Sequence, residues 1–420
     1  MKKRLENFFR NFFKTEGMFC LFLFLLPWQT RLILRPGVLG NGNWEYGIIG
    51  IYGTEILLWL AVLIKFIKDR RRARIFLAWP AGKNFPRLAG GQEFFILLFL
   101  VYLFLRALAS PDKSVALQQF WHLLEAGLFF WILKDGGLNK SKAAFWFIFG
   151  LLIQAGLGIG QFLAQETFAS RWLGLTLHEA AAGGVSVLEN FGGRWLRAYG
   201  GLPHPNVFGG YMLAGIVLIL FSRPLIEKQR QKIFFNSALP ILAAALFFSF
   251  SRSAWLGLVV ALLVFLVFEK AHFHKKPRFK EKSSSAGTDT GAGVESAGST
   301  VATGLLFSIV LIAILSFIFR PILAGRVSGI GRLEVQSVTA RMSGYAEAAE
   351  LFKKNYFLGV GPGNYTLVAY NLHPGRPVWE YQPAHNVLVL AVVEIGLIGA
   401  IGSGFVLLLI FKKHSVNYQF

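Results

Sequence analysis

Two short motifs place a histidine and an asparagine just ahead of an apolar run. They are Pro203-His204-Pro205-Asn206, before residues 207–222, and Pro383-Ala384-His385-Asn386, before the run that ends at 411. Asparagine is a good helix N-cap, so each motif reads first as a helix start. A helix N-terminus also presents free N–H groups and partial positive charge, and so receives anions. Histidine titrates near neutral pH and serves as a general base. Capping alone, or an anion site with a catalytic histidine, are both open on these residues.

Arginines supply the complementary chemistry. Arg320, Arg326, Arg332 and Arg341 lie within the stretch 320–385, and Arg252 stands in Ser-Phe-Ser-Arg-Ser at 249–253. The planar guanidinium fork binds phosphate oxygens two at a time. Several arginines beside two helix N-termini point to a diphosphate, with attraction to anionic headgroups as the competing reading for each one singly. Arg341 is expected to open a short amphipathic helix, ARMSGYAEAAELF, with Tyr345, Ala348 and Phe352 on one face. Glu55, Glu93, Arg106, Glu125 and Glu394 fall inside or at the ends of apolar runs, where ionisable groups are costly and tend to be functional or mutually paired. Glu93 and Arg106 are near enough to run ends to read as structural. Gly359-Val360-Gly361-Pro362-Gly363 has no Lys-Ser/Thr after it and reads as a turn, not a phosphate loop. Of the aspartates Asp69, Asp112, Asp135 and Asp289, only Asp112 is expected on the side of the arginines. No Asp-x-Asp is available there to hold a divalent cation, so no metal and no cofactor is expected. His272 and His274 read as part of a solvated basic loop.

These groups need elements to hold them, and composition says which kind. Of 420 residues 54% are apolar and only 15% charged, and Phe alone accounts for 42. A soluble core could not hide that much apolar surface, and disorder is excluded for the same reason. The runs are continuous, which excludes a membrane β-barrel. They have the length of membrane helices. Ten are expected: 18–34, 46–66, 92–110, 115–133, 143–163, 207–222, 233–250, 253–268, 301–319 and 386–411. The fold class is all-α, a polytopic integral membrane protein. The first run follows a signal-like MKKR, has no small-residue cleavage site after it, and reads as a retained helix. Ahead of it, Leu5, Phe8, Phe9, Phe12 and Phe13 share a helical face with cationic neighbours, suited to lying on an anionic leaflet or to serving as a basic flank.

The net charge of +21 follows the same logic. With the N-terminus in the cytoplasm, most Lys and Arg fall in the inner segments 1–16, 65–90, 134–142, 223–232, 269–300 and 412–420. The run KDRRRAR at 68–74 is among them. That is a topology signal, and nucleic acid is unnecessary as a partner. A single helix over 233–268 would be about 54 Å long against a hydrocarbon core of about 30 Å. A hairpin with Arg252 at its outer tip is expected instead. Cys20 is the only cysteine, so no internal disulfide and no cysteine metal site is possible. The organisation reads as an N-terminal transmembrane bundle at 1–163 and a first long outer loop at 164–206. Helices with the Arg252 hairpin follow at 207–268, then a flexible Ser/Gly/Ala-rich linker at 269–300. A region at 301–420 contains the outer loop 320–385 and the last helix.

In order along the chain, Arg197-Ala-Tyr-Gly-Gly-Leu-Pro-His-Pro-Asn206, Ser251-Arg252-Ser253-Ala254-Trp255, Arg341 with its helix, Gly359–Gly363, and His385-Asn386 leading to Glu394-Ile-Gly396 resemble the O-antigen ligase and polymerase superfamily. The resemblance covers about residues 194–400. It implies a metal-independent glycosyltransferase of the GT-C type, multi-pass in the inner membrane, with both termini cytoplasmic. It implies a glycan donor on an undecaprenyl-diphosphate lipid, and a glycolipid or glycan acceptor, met at the outer face of the bilayer. By motif position Arg252 and Arg341 hold the donor diphosphate and His385 activates the acceptor hydroxyl. Arg197, His204, Asn206, Asn386 and Glu394 then read as substrate-binding. Family members commonly carry more spans than the ten read here. A polymerase of the same superfamily, and a non-enzymatic flippase or exporter of lipid-linked glycan, are the alternatives. Few charges lie mid-span and the polar groups gather on one face, which favours the enzyme.

Overall fold

The computed structural model describes residues 15–68, 92–134, 138–190, 193–222, 228–275, 292–328 and 332–415. The expected leaflet-bound helix before residue 15 and the basic run at 69–74 lie outside the described residues. The described residues are mostly helical, with short antiparallel ribbons, and divide into two compact units. The first comprises residues 1–30, 56–61 and 135–334, and the second 31–55, 62–134 and 335–420.

The first unit contains α1 (Thr15–Leu25), α5 (Lys140–Ala164), α6 (Pro205–Phe221), α7 (Gln229–Phe248), α8 (Arg252–Lys275), α9 (Ala292–Ile318) and α10 (Arg320–Ser328). Its core is aromatic and aliphatic. Phe162 stacks on Phe248 at 4.4 Å and meets Phe319 edge-on at 5.3 Å. Small residues let backbones approach, as membrane helices require. Any side chain at Gly150 of α5 would strike the Phe24 carbonyl of α1. The α9–α10 pair bends by 89° at Phe319, with Pro321 in the first turn of the new helix. A hairpin of β5 (Val187–Asn190) and β6 (Gly193–Leu196), paired Val187 to Leu196, occupies the long loop after α5.

The second unit contains β1 (Arg31–Arg35) paired antiparallel with β4 (Ile49–Tyr52), and the small ribbon β2 (Val38–Leu39) and β3 (Gly42–Asn43). Its helices are α3 (Gln92–Leu108), α4 (Lys113–Lys134), α12 (Tyr365–Leu372) and α13 (Val387–Ser415). Helix α2 (Gly53–Lys68) and helix α11 (Arg332–Lys354) each contribute residues to both units. The core gathers Trp44, Val115, Leu351, Tyr365, Tyr381 and Val393. The Trp44 indole donates to Thr366 Oγ1 at 2.9 Å.

Among the described residues, four helices are long and apolar enough to cross a membrane, α5, α7, α8 and α13, and a fifth if the bent α9–α10 pair is one broken span. Helices α1, α3 and α6 are shorter and apolar. Helix α8 keeps Leu256, Val260, Leu263 and Val267 exposed, the pattern of a face turned to hydrocarbon.

Each of the ten expected apolar runs contains a helix, but the first two are corrected. The run 18–34 is not one helix: α1 stops at Leu25, Pro27 falls in the turn that follows, and Arg31–Arg35 pair as a strand. The run 46–66 opens with a short 3-10 turn and β4, and its helix begins at Gly53. Leu-Ile-Leu and Ile-Gly-Ile are as apolar as helix sequence, and apolarity alone does not distinguish a short strand from a helix. The stretch 269–300, expected as linker, is helical at both ends in α8 and α9, and residues 276–291 lie outside the described set.

Candidate functional site

In the first unit the sequence-selected residues converge on one turn. Arg197, just after β6, is 4% exposed. Its Nε donates to the Ser249 carbonyl at 2.8 Å, its Nη2 to Asn206 Oδ1 at 2.7 Å, and its Nη1 to Ser186 Oγ at 3.3 Å. Ser249, Phe250 and Ser251 link α7 to α8. Phe250 takes a left-handed φ of 47°, rare for a bulky residue, and is held there by burial in the aromatic core. Arg326 Nε donates to the Phe250 carbonyl at 3.1 Å, and Trp255 N to the Ser251 carbonyl at 3.0 Å. Three consecutive carbonyls are thus tied down, and Arg252 begins its helix half-buried from a fixed turn. A break at 249–251 separates α7 from α8, with Arg252 the first residue of α8.

His204, not Asn206, caps α6. Its Nδ1 accepts from the Asn206 backbone N–H at 3.0 Å, with Pro205 at the first helical position. A neutral ring accepting at Nδ1 carries its proton on Nε2, which then donates to Ser186 Oγ at 3.2 Å. Both nitrogens of His204 are therefore spent on structure. Asn206 lies inside the first turn and is an acceptor for Arg197.

In the second unit Asn386 does cap its helix: Oδ1 accepts from Leu388 N at 2.9 Å and Val389 N at 3.3 Å. That leaves His385, one residue earlier, out of the cap and exposed. Its environment is of another kind. Partial burial of the ring first, and then the positive charge of Arg341, hold its pKa below the ordinary histidine value. The imidazole stays neutral at physiological pH. Arg341 sits in the middle of α11 and does not open it: the helix begins about two and a half turns earlier, at Arg332. Ala348 and Leu351 bury the inner face of α11.

Glu394 lies in α13. Its carboxylate accepts from the backbone N–H groups of Gly363 and Tyr365, at the start of α12. The Gly359–Gly363 segment is a turn, as expected. Helix α13 is interrupted at Gly396, with φ 70° and ψ −176°. Into this break the turn docks, Val360 N donating to the Val393 carbonyl at 2.9 Å and Gly361 N to that of Glu394 at 2.8 Å. The exposed edges of the break are finished by Tyr102 OH, donating to the Ile395 carbonyl at 2.7 Å. Arg106 donates to the carbonyls of Leu358 and Gly359, a structural task. The side chain of Glu93 is outside the described set. Asp112 caps α4 and pairs with Arg35 at 2.7 Å.

A group that sequence reading did not assemble lies in the same unit. One ligand atom each from Glu55, His122 and Glu125 fall within 4.8 Å of one another. Glu55 and Glu125 were marked as charges within apolar runs. His122 carried a signal in its spacing of three residues from Glu125, which puts both on one helical face. Nearby, Arg31, Glu45, Gln118, His122, Tyr365 and Glu394 line part of a cavity of about 320 Å³.

Residues 237–403 match the family model described as O-Antigen ligase. No curated protein and no solved structure matches the chain. The matched stretch contains Arg252, Arg341, His385, Asn386 and Glu394, while Arg197, His204 and Asn206 precede it.

Proposed function

With residues 237–403 matching the O-antigen ligase family model, we propose that this membrane protein is an inner-membrane glycosyltransferase of surface-polysaccharide biosynthesis. It moves a glycan from an undecaprenyl-diphosphate carrier to an acceptor hydroxyl on the outer face. It does so on a GT-C-like scaffold of about ten spans with cytoplasmic termini. Arg252 and Arg341 hold the donor diphosphate without a metal, and His385 is the base. Arg197, His204 and Asn206 support the donor side by fixing the turn before Arg252, and Asn386 and Glu394 support the acceptor side.

The observation that carries the reading is the match of residues 237–403, with Arg252, Arg341 and His385 among them, to the O-antigen ligase family model. A base must be unprotonated when the acceptor arrives, and partial burial of the ring first, then the positive charge of Arg341, favour the neutral form of His385. His385 takes the acceptor proton as its oxygen attacks the anomeric carbon. The bond from that carbon to the diphosphate breaks, its electron pair leaves with the phosphate oxygen, and the guanidinium groups stabilise the departing charge. The configuration inverts. His204, its two nitrogens already engaged, is the poorer base of the two.

The test is a gel of products from the purified protein in liposomes, given a diphosphate-linked glycan donor and a panel of acceptors. Chelator is present throughout, and folding is checked by a thermal melt in the same buffer. A single mass shift that disappears in His385→Ala identifies a ligase, and a ladder that disappears identifies a polymerase. No product from folded wild-type protein rejects the enzyme and leaves lipid-linked glycan transport to be assayed directly.

A further inference from the structure

Glu55 stands in the first turn of α2, and His122 and Glu125 lie one turn apart on α4. His122 Nε2 is 3.3 Å from Glu55 Oε1. That nitrogen is shielded from solvent and completes no hydrogen bond. The two carboxylates are also withdrawn from water: the Glu55 side chain is 11% exposed and Glu125 is 7% exposed. The two carboxylates and the imidazole thus place three potential ligand atoms within 4.8 Å of one another, away from bulk water. Carboxylates withdrawn from water in apolar helices are costly, and a shared cation lowers that cost. His122 also lines the cavity of about 320 Å³, which has room for water ligands.

We propose that Glu55, His122 and Glu125 bind one divalent transition-metal cation that ties the start of α2 to α4. Two carboxylates balance its charge, and the neutral imidazole donates through Nε2. One nitrogen and two carboxylate oxygens suit Zn²⁺ or Mn²⁺, and three protein ligands leave positions for water on the cavity side. None of the three residues belongs to the set assigned to glycan transfer, so this site stands or falls separately from that reading.

Metal content and melting temperature test it. The full-length protein in detergent is stripped with chelator, dialysed against Zn²⁺ or, in a parallel arm, Mn²⁺, and analysed by inductively coupled plasma mass spectrometry. About one ion per chain is expected in at least one arm, with a melting temperature that rises with metal concentration. His122→Ala and the shape-preserving Glu125→Gln each lower affinity by about tenfold or more and remove the thermal shift. His373→Ala, which removes an exposed histidine paired with Glu350, leaves both unchanged. Wild-type protein that retains neither ion, or that retains it equally after His122→Ala and Glu125→Gln, overturns the proposal. Should His122→Ala fail to fold, Glu125→Gln and the wild-type metal count decide.

Discussion

Arg197 Nη2 donates to Asn206 Oδ1 across 2.7 Å, while its Nε holds the Ser249 carbonyl directly before the Phe250-Ser251 step into Arg252. One buried guanidinium thereby ties the loop after β6, the first turn of α6 and the tip of the α7–α8 hairpin together. Arg197→Ala leaves the Ser249 carbonyl and the Asn206 amide oxygen without this donor, at a cost of about 2–3 kcal/mol. Arg197→Lys keeps the charge but cannot span three acceptors with one ammonium, and is expected to cost about half of that. Thermal melts of both variants in the same detergent check the order: wild type, then lysine, then alanine. An Arg197→Lys protein that melts with the wild type would show that the fork geometry is not needed.

The His385–Arg341 pair gives a pH signature. Transfer needs the neutral ring, so its rate falls on acidification through the His385 pKa, which lies below the ordinary value of 6.5. Arg341→Ala removes a charge that opposes protonation, so the acidic limb of the profile moves to higher pH. His385→Ala removes the base and lowers turnover by about 10²–10⁴-fold, with the acidic limb abolished. Rate profiles of the liposome assay at saturating donor read both effects. An Arg341→Ala limb that stays in place, or moves to lower pH, contradicts the pairing.

Long apolar helices were legible in the sequence because their signal is additive over many residues, and α4, α5, α6 and α7 begin and end within a few residues of the expected limits. The β1–β4 ribbon was not, since Arg31–Arg35 and Ile49–Tyr52 become strands only by pairing with each other. The capping of α6 by His204 was hidden for a related reason: Asn206 is the better intrinsic cap, but its side chain is claimed by Arg197. His385 and Arg341 were found as residue types in order along the chain. Their electrostatic coupling depends on where α11 lies against the segment before α13, which no local pattern encodes. His122 and Glu125 are one turn apart and visible, but Glu55 reaches them only through the fold.

Gly359 and Gly396 meet where the turn enters the break in α13. Both have positive φ, 72° and 70°. A side chain at Gly359 would strike the Glu394 carbonyl, and one at Gly396 the Phe357 carbonyl, both backbone atoms that cannot swing away. Either alanine substitution therefore combines backbone strain with a clash, and each is expected to cost about 3 kcal/mol or more. The double variant should lose less than the sum, because one displacement of the turn relieves both contacts. Detergent melts of the two single variants and the double measure the coupling. Fully additive losses would mean that the two glycines act separately.

Asp112 makes stability depend on pH in a direction that can be stated. Burial opposes its charge, but the hydrogen bond from Arg35, the backbone N–H groups of Val115 and Ser114, and the Arg35 charge together hold its carboxyl below its ordinary value of 3.8. The unfolded chain then binds the proton more tightly than the native one, so acid favours unfolding. The contribution is complete above the unfolded value and is lost as pH falls through the lower native value. Because Arg35 is 41% exposed, solvent screening limits the ion pair to about 1 kcal/mol or less. Asp112→Asn removes the pair while keeping a capping oxygen. Its melting temperature should sit below the wild type by a constant margin from pH 7 to pH 5, and the margin should close as the pH drops below about 4. A margin that widens on acidification would show that Asp112 is harder to ionise in the native protein than in the unfolded chain, the opposite of what its contacts with Arg35, Ser114 and Val115 require.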